Sequence, residues 1–174
     1  MDAHYHKVMK EREAIKDKGN RMYFAYSGVL DSEAFKDWSE EHSYQFFQLP
    51  EGQVASVKDV DLIFDFPSRW WGGRVAGLVD KKDAVVFGKL FEIAANHWPI
   101  IQLKEGVVTG MSIERSIKVT VDGKEFEATA FVTSPQRISI EGPVSDRFVE
   151  ALISGAKQAH LPESYIVSLR SKAV

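Results

Sequence analysis

Proton transfer by carboxylate or imidazole groups is the chemistry that this sequence could perform with its own side chains. The 174 residues include no cysteine, which excludes a thiol nucleophile, a disulfide and zinc–thiolate or iron–sulfur sites. Among the 25 acidic residues, Glu105 lies in the run Gln-Leu-Lys-Glu-Gly at residues 102–106. A short helical turn predicted at residues 96–103 would deliver Glu105 into a loop that Gly106 could end. Without further context, a solvent-exposed loop glutamate is the ordinary interpretation.

Patterns for metal, nucleotide or serine chemistry are missing from the sequence. Residues His4 and His6 are close together, but side chains two positions apart on a helix point in different directions. Ordinary surface positions are therefore favoured for the five histidines, which are His4, His6, His42, His97 and His160. The serine at position 27 is preceded at position 25 by alanine, where a nucleophile elbow needs glycine. Neither glycine-rich phosphate-binding motif occurs, and we expect no metal and no cofactor.

Composition and charge limit the partners of the chain. A hydrophobic fraction of 44% lies in the ordinary globular range, so we expect a folded protein. The net charge of -3 is spread without a basic stripe, which disfavours nucleic acid. Charged residues occupy residues 1–18, where a signal peptide would need an apolar core, and no later run approaches the roughly 18 apolar residues of a membrane helix. We expect a cytoplasmic protein with a small-molecule partner and no membrane contact.

Strand and helix signals predict the elements that would position Glu105. Alternating residues on both sides of Asp122-Gly123 predict a hairpin over residues 112–133. Asp31-Ser32 and Ser145 are typical of helix N-caps, and residues 2–18 read as an appended helix. Further strands are predicted at residues 21–26, 44–49, 60–66, 74–79 and 84–93.

The order of these elements favours one fold class. It is rich in strands with helices interspersed, and clean alternation of strand and helix is missing. We expect an α+β fold in which a small mixed β-barrel is flanked by helices. Residues 1–20 would form an N-terminal helical extension, and residues 21–174 would form the domain itself. A glycine turn after the first strand and a glycine-rich aromatic loop at residues 67–73 could line a pocket.

Four segments resemble the gamma-glutamylcyclotransferase-like (AIG2-like) family in the family's own order. Tyr-Phe-Ala-Tyr-Ser-Gly-Val-Leu at residues 23–30 is similar to the family signature Tyr-Phe-Ala-Tyr-Gly-Ser-Asn-Leu. Trp-Gly-Gly-Arg-Val-Ala at residues 71–76, with Val-Phe-Gly-Lys-Leu-Phe at 86–91, resembles its paired glycines and following strand. The Glu-Gly run at residues 105–111 resembles the segment of the catalytic glutamate, and residues 143–169 resemble the closing helix.

This resemblance implies a cofactor-free cyclotransferase. The resemblance implies a small mixed barrel with a cavity. Members of the family release 5-oxoproline when the α-amine of a gamma-glutamyl group attacks its own side-chain carbonyl. This is a cyclisation of the lyase or acyltransferase type, and it implies a role in glutathione metabolism. By the same resemblance, Glu105 is the general base and then the general acid. The implied substrate-binding residues are Tyr23, Tyr26, Ser27, Gly28, Val29, Trp71 and Phe148.

The resemblance also sets physical requirements for the site. A glutamate that works as base and acid benefits from partial desolvation, which raises its pKa toward neutrality. We therefore expect Glu105 to face an apolar cavity bordered by Tyr26 and Trp71. The loop after the first strand would offer backbone N–H groups to the substrate carboxylate or the reacting carbonyl.

Several positions depart from the family pattern and leave alternatives open. Ser27-Gly28-Val29 stands where the family has Gly-Ser-Asn, which predicts a different loop path because branched Val29 disfavours positive φ. Phe148 replaces a frequent tyrosine and Trp71 a histidine of some members, so each is either a core or lid aromatic or a substrate contact. A non-catalytic ligand-binding module and a structural interaction protein are the rival functions. The leaving group and a homodimer are left open.

Overall fold

A closed five-stranded barrel forms the centre of the structure, a computed structural model that describes residues 19–174. The strands follow one another around the barrel in the order β1-β3-β2-β4-β5. Their bounds are β1 Arg21–Ala25, β2 Gln53–Ser68, β3 Gly73–Ile93, β4 Ser112–Val121 and β5 Lys124–Thr133. With helices packed outside it, this barrel confirms the predicted α+β class. The helix predicted at residues 2–18 lies outside the described residues.

Strand β1 closes the barrel and makes it mixed. It runs antiparallel to β3, from Arg21 opposite Ile93 to Ala25 opposite Lys89, and parallel to β5 at Tyr23 opposite Thr129. A strand paired on both edges and covered on its faces suits apolar residues, and its central residues are buried. This direction of β1 delivers the following turn to one end of the barrel.

Strands β2 and β3 form one long ribbon rather than several short strands. The predicted strands at residues 74–79 and 84–93 are parts of the single strand β3, and β2 extends the prediction for residues 60–66 at both ends. Phe64 and Phe66 pair with the adjacent residues Ala76 and Val75, so β2 carries one extra residue there, which is a bulge and bends the strand. A second register shift lies between Lys58 and Val60.

The strand predicted at residues 44–49 is wrong. These residues form turns after a helix that ends at Glu41, and Ser43 has φ of 63°. The backbone N–H of Tyr44 bonds to the Ser39 carbonyl, which folds the chain back on the helix end. Phe47 is buried against the ring of Phe35 instead of joining a sheet. The aromatic residues of this segment pack between a helix and the barrel and do not pair as a strand.

Within residues 19–174, four helices flank the barrel. They are α1 Ser32–Glu41, α2 Trp98–Lys104, α3 Asp146–Gln158 and α4 Glu163–Lys172. The predicted caps are confirmed, since the Asp31 carboxylate accepts from the N–H of Ala34 and the Ser145 hydroxyl accepts from that of Phe148. A 3-10 turn, Ala95–His97, precedes α2. Within the described part of the chain, no helix is long and apolar enough to cross a membrane.

The predicted closing helix is in fact two helices. Helix α3 ends in a Schellman motif in which the N–H of His160 bonds to the Lys157 carbonyl and that of Leu161 to the Ala156 carbonyl. His160 takes φ of 56° there, and Pro162 starts the next helix. The hairpin turn is as predicted, with positive φ at both Asp122 and Gly123, as a type I′ turn requires.

Candidate active site

A cavity of about 300 Å³ opens at the end of the barrel where the turn after β1, the tip of the β2–β3 ribbon and the end of α2 meet. Aromatic and aliphatic side chains supply most of its wall, with a few polar groups among them. Seven of the eight residues predicted for the site line it, namely Tyr26, Ser27, Gly28, Val29, Trp71, Glu105 and Phe148. Tyr23 lies behind this wall and reaches the site through its hydroxyl group.

The end of helix α2 places Glu105. Glu105 is the C-cap residue, and Gly106 follows with φ of 81°. The N–H of Gly106 bonds to the Leu103 carbonyl and that of Val107 to the Gln102 carbonyl, which is a Schellman motif. Only a residue that tolerates positive φ fits at position 106, so the Glu-Gly order sets both the helix end and the position of the carboxylate.

The start of β4 locks the same loop from the other side. The Ser112 hydroxyl donates to the backbone carbonyl of Glu105, and the N–H of Met111 bonds to the Gly106 carbonyl at 2.9 Å. A side chain at position 106 would meet the Met111 side chain at 3.0 Å. Glu105 therefore sits on a loop held at both ends, which limits the orientations open to its side chain.

The carboxyl group of Glu105 is withdrawn from bulk water. The residue keeps intermediate exposure because it faces the cavity, while protein surrounds its carboxyl end. Burial raises the pKa of Glu105 above its usual value near 4.5, and the charge of Lys104 and a hydrogen bond from Tyr23 offset this only in part. Such a carboxyl group is a stronger base than an exposed glutamate, and its protonated form is available nearer neutral pH.

Tyr23 orients the carboxylate. Its hydroxyl donates to Glu105 Oε1 from a ring that is 1% exposed. Burial, the charge of Glu105 and their hydrogen bond raise the pKa of Tyr23 well above 10.0, so the hydroxyl stays protonated and keeps donating. Tyr26, three residues on, also lines the cavity, and its hydroxyl donates to the Phe131 carbonyl. The two tyrosines thus differ, since only Tyr23 touches Glu105.

The turn after β1 lines the cavity with Ser27, Gly28 and Val29. Gly28–Leu30 form a 3-10 turn, with Ser27 before it at φ of -128°. None of Ser27, Gly28 and Val29 has positive φ, so branched Val29 is accommodated without strain. Glycine at position 28 leaves room beside the aromatic wall, because a Cβ atom there would meet the Phe148 ring at 3.2 Å.

Trp71 and Phe148 form one aromatic wall. Their rings meet edge to face with centroids 5.3 Å apart, and the Arg147 guanidinium lies 5.0 Å from the Trp71 ring centroid. The Ser145 hydroxyl donates to the Trp71 carbonyl at 2.6 Å and so ties this loop to the start of α3. Phe148 is buried and Trp71 is partly exposed, and both line the cavity, so they pack together and also face any ligand.

Sequence reasoning missed several groups at the cavity. Lys104 lies beside Glu105, with Nζ 5.7 Å from the centroid of the Trp38 ring, and burial lowers its pKa from 10.5 while the charge of Glu105 offsets this in part. Ser112 and Thr133 supply hydroxyl groups to the wall. The Lys-Glu pair at residues 104–105 was a visible signal, but the hydroxyl residues carry no pattern of their own. In residues 19–174, no group of three or more metal-ligating side chains is close enough to hold a metal ion.

Comparison with solved structures defines the class of the fold. A structure named gamma-glutamyl cyclotransferase superimposes with a TM-score of 0.72 at 22% identity, covering 87% of this chain and 87% of the other. At this identity the likeness concerns the architecture, which is that of a gamma-glutamylcyclotransferase-like barrel.

Sequence comparison finds similarity to one family. A profile of the AIG2-like family matches residues 85–169. The gamma-glutamylcyclotransferase of Bos taurus is 26% identical over 156 residues, which cover 86% of this chain and 77% of that protein. The Homo sapiens gamma-glutamylcyclotransferase is 26% identical over 160 residues, covering 89% of this chain and 80% of that one. The chain is therefore similar to the AIG2-like family over residues 85–169 and to these gamma-glutamylcyclotransferases over most of its length.

Proposed function

We propose that this protein is a cyclotransferase that releases 5-oxoproline from a small gamma-glutamyl compound, with Glu105 as the group that moves the proton. The observation that carries the proposal is the state of Glu105, whose carboxyl group is withdrawn from water, oriented by Tyr23 and exposed to a cavity. The similarity to gamma-glutamylcyclotransferases of two mammals supports it. A solvated loop glutamate would lack all three properties.

The reaction needs one base that becomes an acid. A bond forms between the substrate's α-amine nitrogen and its own side-chain carbonyl carbon, and the bond from that carbon to the leaving nitrogen breaks. Glu105 takes a proton from the attacking amine and returns it to the leaving nitrogen, so the carboxylate is regenerated. The raised pKa of Glu105 suits both steps, because it brings the affinity of the carboxyl group for protons nearer to that of its reaction partners.

The turn after β1 supplies the electrostatic part of the proposal. The leading N–H groups of a 3-10 turn have no partner inside the turn, and Ser27, Gly28 and Val29 all line the cavity. We assign these groups to the substrate carboxylate or to the oxyanion that develops on the attacked carbonyl. No side-chain amide is needed for that role, so Val29 is compatible with it.

Size and polarity constrain the substrate. A cavity of about 300 Å³ holds a folded glutamyl group and a modest leaving group. Trp71 and Phe148 make one side of the site apolar, which favours leaving groups with apolar surface. We further propose that the protein acts in the cytoplasm on a small molecule, without nucleic acid, membrane or cofactor.

A substrate panel tests the proposal. Gamma-glutamyl amino acids, gamma-glutamyl amines and glutathione would be incubated with the protein while 5-oxoproline is measured, alongside Glu105→Gln and the control Glu141→Gln. Glu141 is exposed and does not line the cavity. We expect release by the wild type and the control and a loss of roughly a hundredfold or more in Glu105→Gln, whose circular dichroism should be unchanged.

Two outcomes would count against the assignment. Full activity of Glu105→Gln would remove Glu105 from the chemistry. Binding of a gamma-glutamyl compound without release of 5-oxoproline from any member of the panel would favour the rival function, a non-catalytic ligand-binding protein. The altered Ser27-Gly28-Val29 turn is the feature that motivates this rival.

A further inference from the structure

A second buried carboxylate, Asp65, lies beside the cavity and has no role in the proposed reaction. It is 2% exposed and sits at the bulge of β2, where Phe64 pairs with Ala76 and Phe66 with Val75. A bulge frees one residue from the ladder and re-aims its side chain. Burial raises the pKa of Asp65 from its usual 3.8, and the hydrogen bond from Thr133 offsets this in part.

Thr133 at the end of β5 is the partner of this carboxylate. Its hydroxyl donates to Asp65 Oδ1 at 2.7 Å, and both residues are buried. Position 77 on β3 is glycine, and a Cβ atom there would overlap Asp65 and meet Thr133 Oγ1 at 2.8 Å. The facing strand therefore leaves room for the pair, which no larger residue would do.

The pair leaves Asp65 without a cationic partner. Among the described residues, the ion pairs of the protein do not involve it. A buried carboxylate costs free energy unless it is paired or hydrogen-bonded. The Thr133 hydroxyl and the backbone N–H of Asp65 offset that cost only in part, so a cation that arrives with a ligand would be favoured near it.

The hydroxyl of Thr133 can serve any further partner only as a hydrogen-bond acceptor. A threonine hydroxyl has one hydrogen, and in this pair the hydrogen is directed at Asp65. What remains on Thr133 Oγ1 is lone-pair density, so the residue offers only an acceptor to a ligand. Thr133 lines the cavity and pairs with Ser112 on the adjacent strand β4. The Ser112 hydroxyl donates to the backbone carbonyl of Glu105. The acceptor thus lies on the wall that carries Glu105.

We propose that Thr133, held by Asp65, accepts a hydrogen bond from the α-ammonium group of the substrate and selects ligands that carry this group. Asp65 is a positioning residue that acts through Thr133. Identifying the ammonium as that of a gamma-glutamyl group rests on the function proposed above. Before the attack, the ammonium loses one proton to solvent, and the amine that remains keeps one N–H on Thr133 and offers the other to Glu105. Thr133 itself transfers no proton.

A matched ligand pair tests this inference. Gamma-glutamyl anilide and glutaranilic acid share the anilide and the carboxylate and differ in the α-amino group. Their affinities would be measured by calorimetry in the Glu105→Gln background, which prevents turnover and removes the charge of Glu105. We expect the amino ligand to bind roughly tenfold more tightly than its partner.

Three substitutions, each added to Glu105→Gln, test which residue causes the preference for the amino ligand. Thr133→Val removes the acceptor at constant shape and should reduce the ratio of affinities to below about twofold. Thr133→Ser keeps the hydroxyl and should retain the ratio, and Asp65→Asn removes the charge and should give an intermediate ratio. Thermal melting of each variant reports stability separately. A purely structural role would lower the melting temperature and leave the ratio unchanged.

The outcomes separate this inference from the proposed function. Equal binding of the two ligands by Glu105→Gln, or no binding of the amino ligand, overturns the inference even if Thr133→Val does not fold. A retained ratio in a folded Thr133→Val variant also overturns it. If no gamma-glutamyl compound is cyclised by the wild type but the preference depends on Thr133, the ammonium site stands and the proposed reaction fails.

Discussion

Two carboxylates withdrawn from water, Glu105 and Asp61, have opposite electrostatic settings. Asp61 on β2 forms ion pairs with Lys172 of α4 and with Lys81, the second at 3.6 Å. Burial alone would raise its pKa, but the hydrogen bond and charge of Lys172, together with Lys81, hold the pKa of Asp61 below its usual 3.8. For Glu105 the effect of burial exceeds that of the nearby charge and hydrogen bond, so its pKa is raised. The group that binds its carboxylate directly is the neutral hydroxyl of Tyr23.

The difference separates a carboxylate that joins elements from one that is available for chemistry. Lys172 and Asp61 tie the last helix to the barrel, and neither oxygen of Asp61 lines the cavity at the barrel end. Glu105 faces the cavity with a carboxylate whose ionised form is not fully stabilised. A group with a satisfied charge resists protonation, whereas a group at an apolar wall can exchange a proton during a reaction.

The largest expected effect is the loss of stability when the Asp61 pairs are broken. Asp61→Asn should lower the free energy of unfolding by about 2 kcal/mol, because Lys172 loses a charged acceptor in a largely buried setting. Urea unfolding would measure it, and release of 5-oxoproline per folded molecule should be unchanged. Asp80→Asn is the matched control, since the pair of exposed Asp80 with Arg115 is expected to contribute less than about 1 kcal/mol. Equal losses in both variants would contradict the comparison.

A smaller effect is expected on the Glu105 side from Tyr23→Phe. The variant removes the hydrogen bond that lowers the pKa of Glu105, so the pKa should rise further and the acid limb of the rate profile should move to higher pH. Poorer alignment of the carboxylate should also reduce kcat by roughly tenfold. The measurement is kcat against pH for both proteins.

Tyr26→Phe is the control for that experiment. The Tyr26 hydroxyl binds the Phe131 carbonyl and not Glu105, so the midpoint of the acid limb should stay where it is whatever happens to the rate. A limb that is unmoved in Tyr23→Phe would mean that the Tyr23 hydroxyl does not hold Glu105 in solution.

The two carboxylates should also have opposite effects on the pH dependence of stability. The pKa of Glu105 is raised on folding. The contribution of Glu105 to the free energy of unfolding is therefore fully present below the usual pKa near 4.5 and is lost as pH rises through the folded-state pKa. The pKa of Asp61 is lowered on folding. The contribution of Asp61 to the free energy of unfolding is therefore present above the usual pKa of 3.8 and is lost as pH falls through the folded-state pKa.

Unfolding midpoints across acidic to neutral pH would display this contrast. Relative to the wild type, Glu105→Gln should gain stability as pH rises, and Asp61→Asn should lose it. The same trend in both variants would show that burial does not prevail at Glu105.

The smallest expected effect is at the turn that faces Glu105. In Gly28→Ala the new Cβ atom would meet the Phe148 ring at 3.2 Å and the Trp71 ring at 3.7 Å, so the aromatic wall must shift by a few tenths of an ångström. We expect KM to rise by about threefold to fivefold while kcat changes less. Steady-state kinetics on the best member of the panel would measure it, and an unchanged KM would place the substrate away from this turn.

Much of the framework could be predicted because its signals are local. Caps at Asp31 and Ser145 depend on side chains within three residues of the N–H groups they bind. The Asp122-Gly123 turn depends on two adjacent residues that tolerate positive φ. The strand predicted at residues 44–49 failed because an aromatic run favours burial in several ways, and only the neighbouring helix determined which one occurred.

The environment of the site could not be predicted in the same way. Tyr23 is 82 positions from Glu105, and Asp65 is 68 positions from Thr133. Asp65 was visible as a charged residue in an apolar run, but nothing local paired it with a hydroxyl. Lys172, which distinguishes Asp61 from Glu105, lies 111 positions from Asp61 along the chain.

The sequence by itself determined the loop that carries Glu105, because a short helix followed by Glu-Gly encodes that loop. It also determined that oxygen and nitrogen groups must perform any chemistry, because cysteine is absent. Only the tertiary structure decided the state of that carboxyl group. A pKa depends on burial and on the charges within a few ångströms, and those come from strands and helices that meet only when the barrel closes.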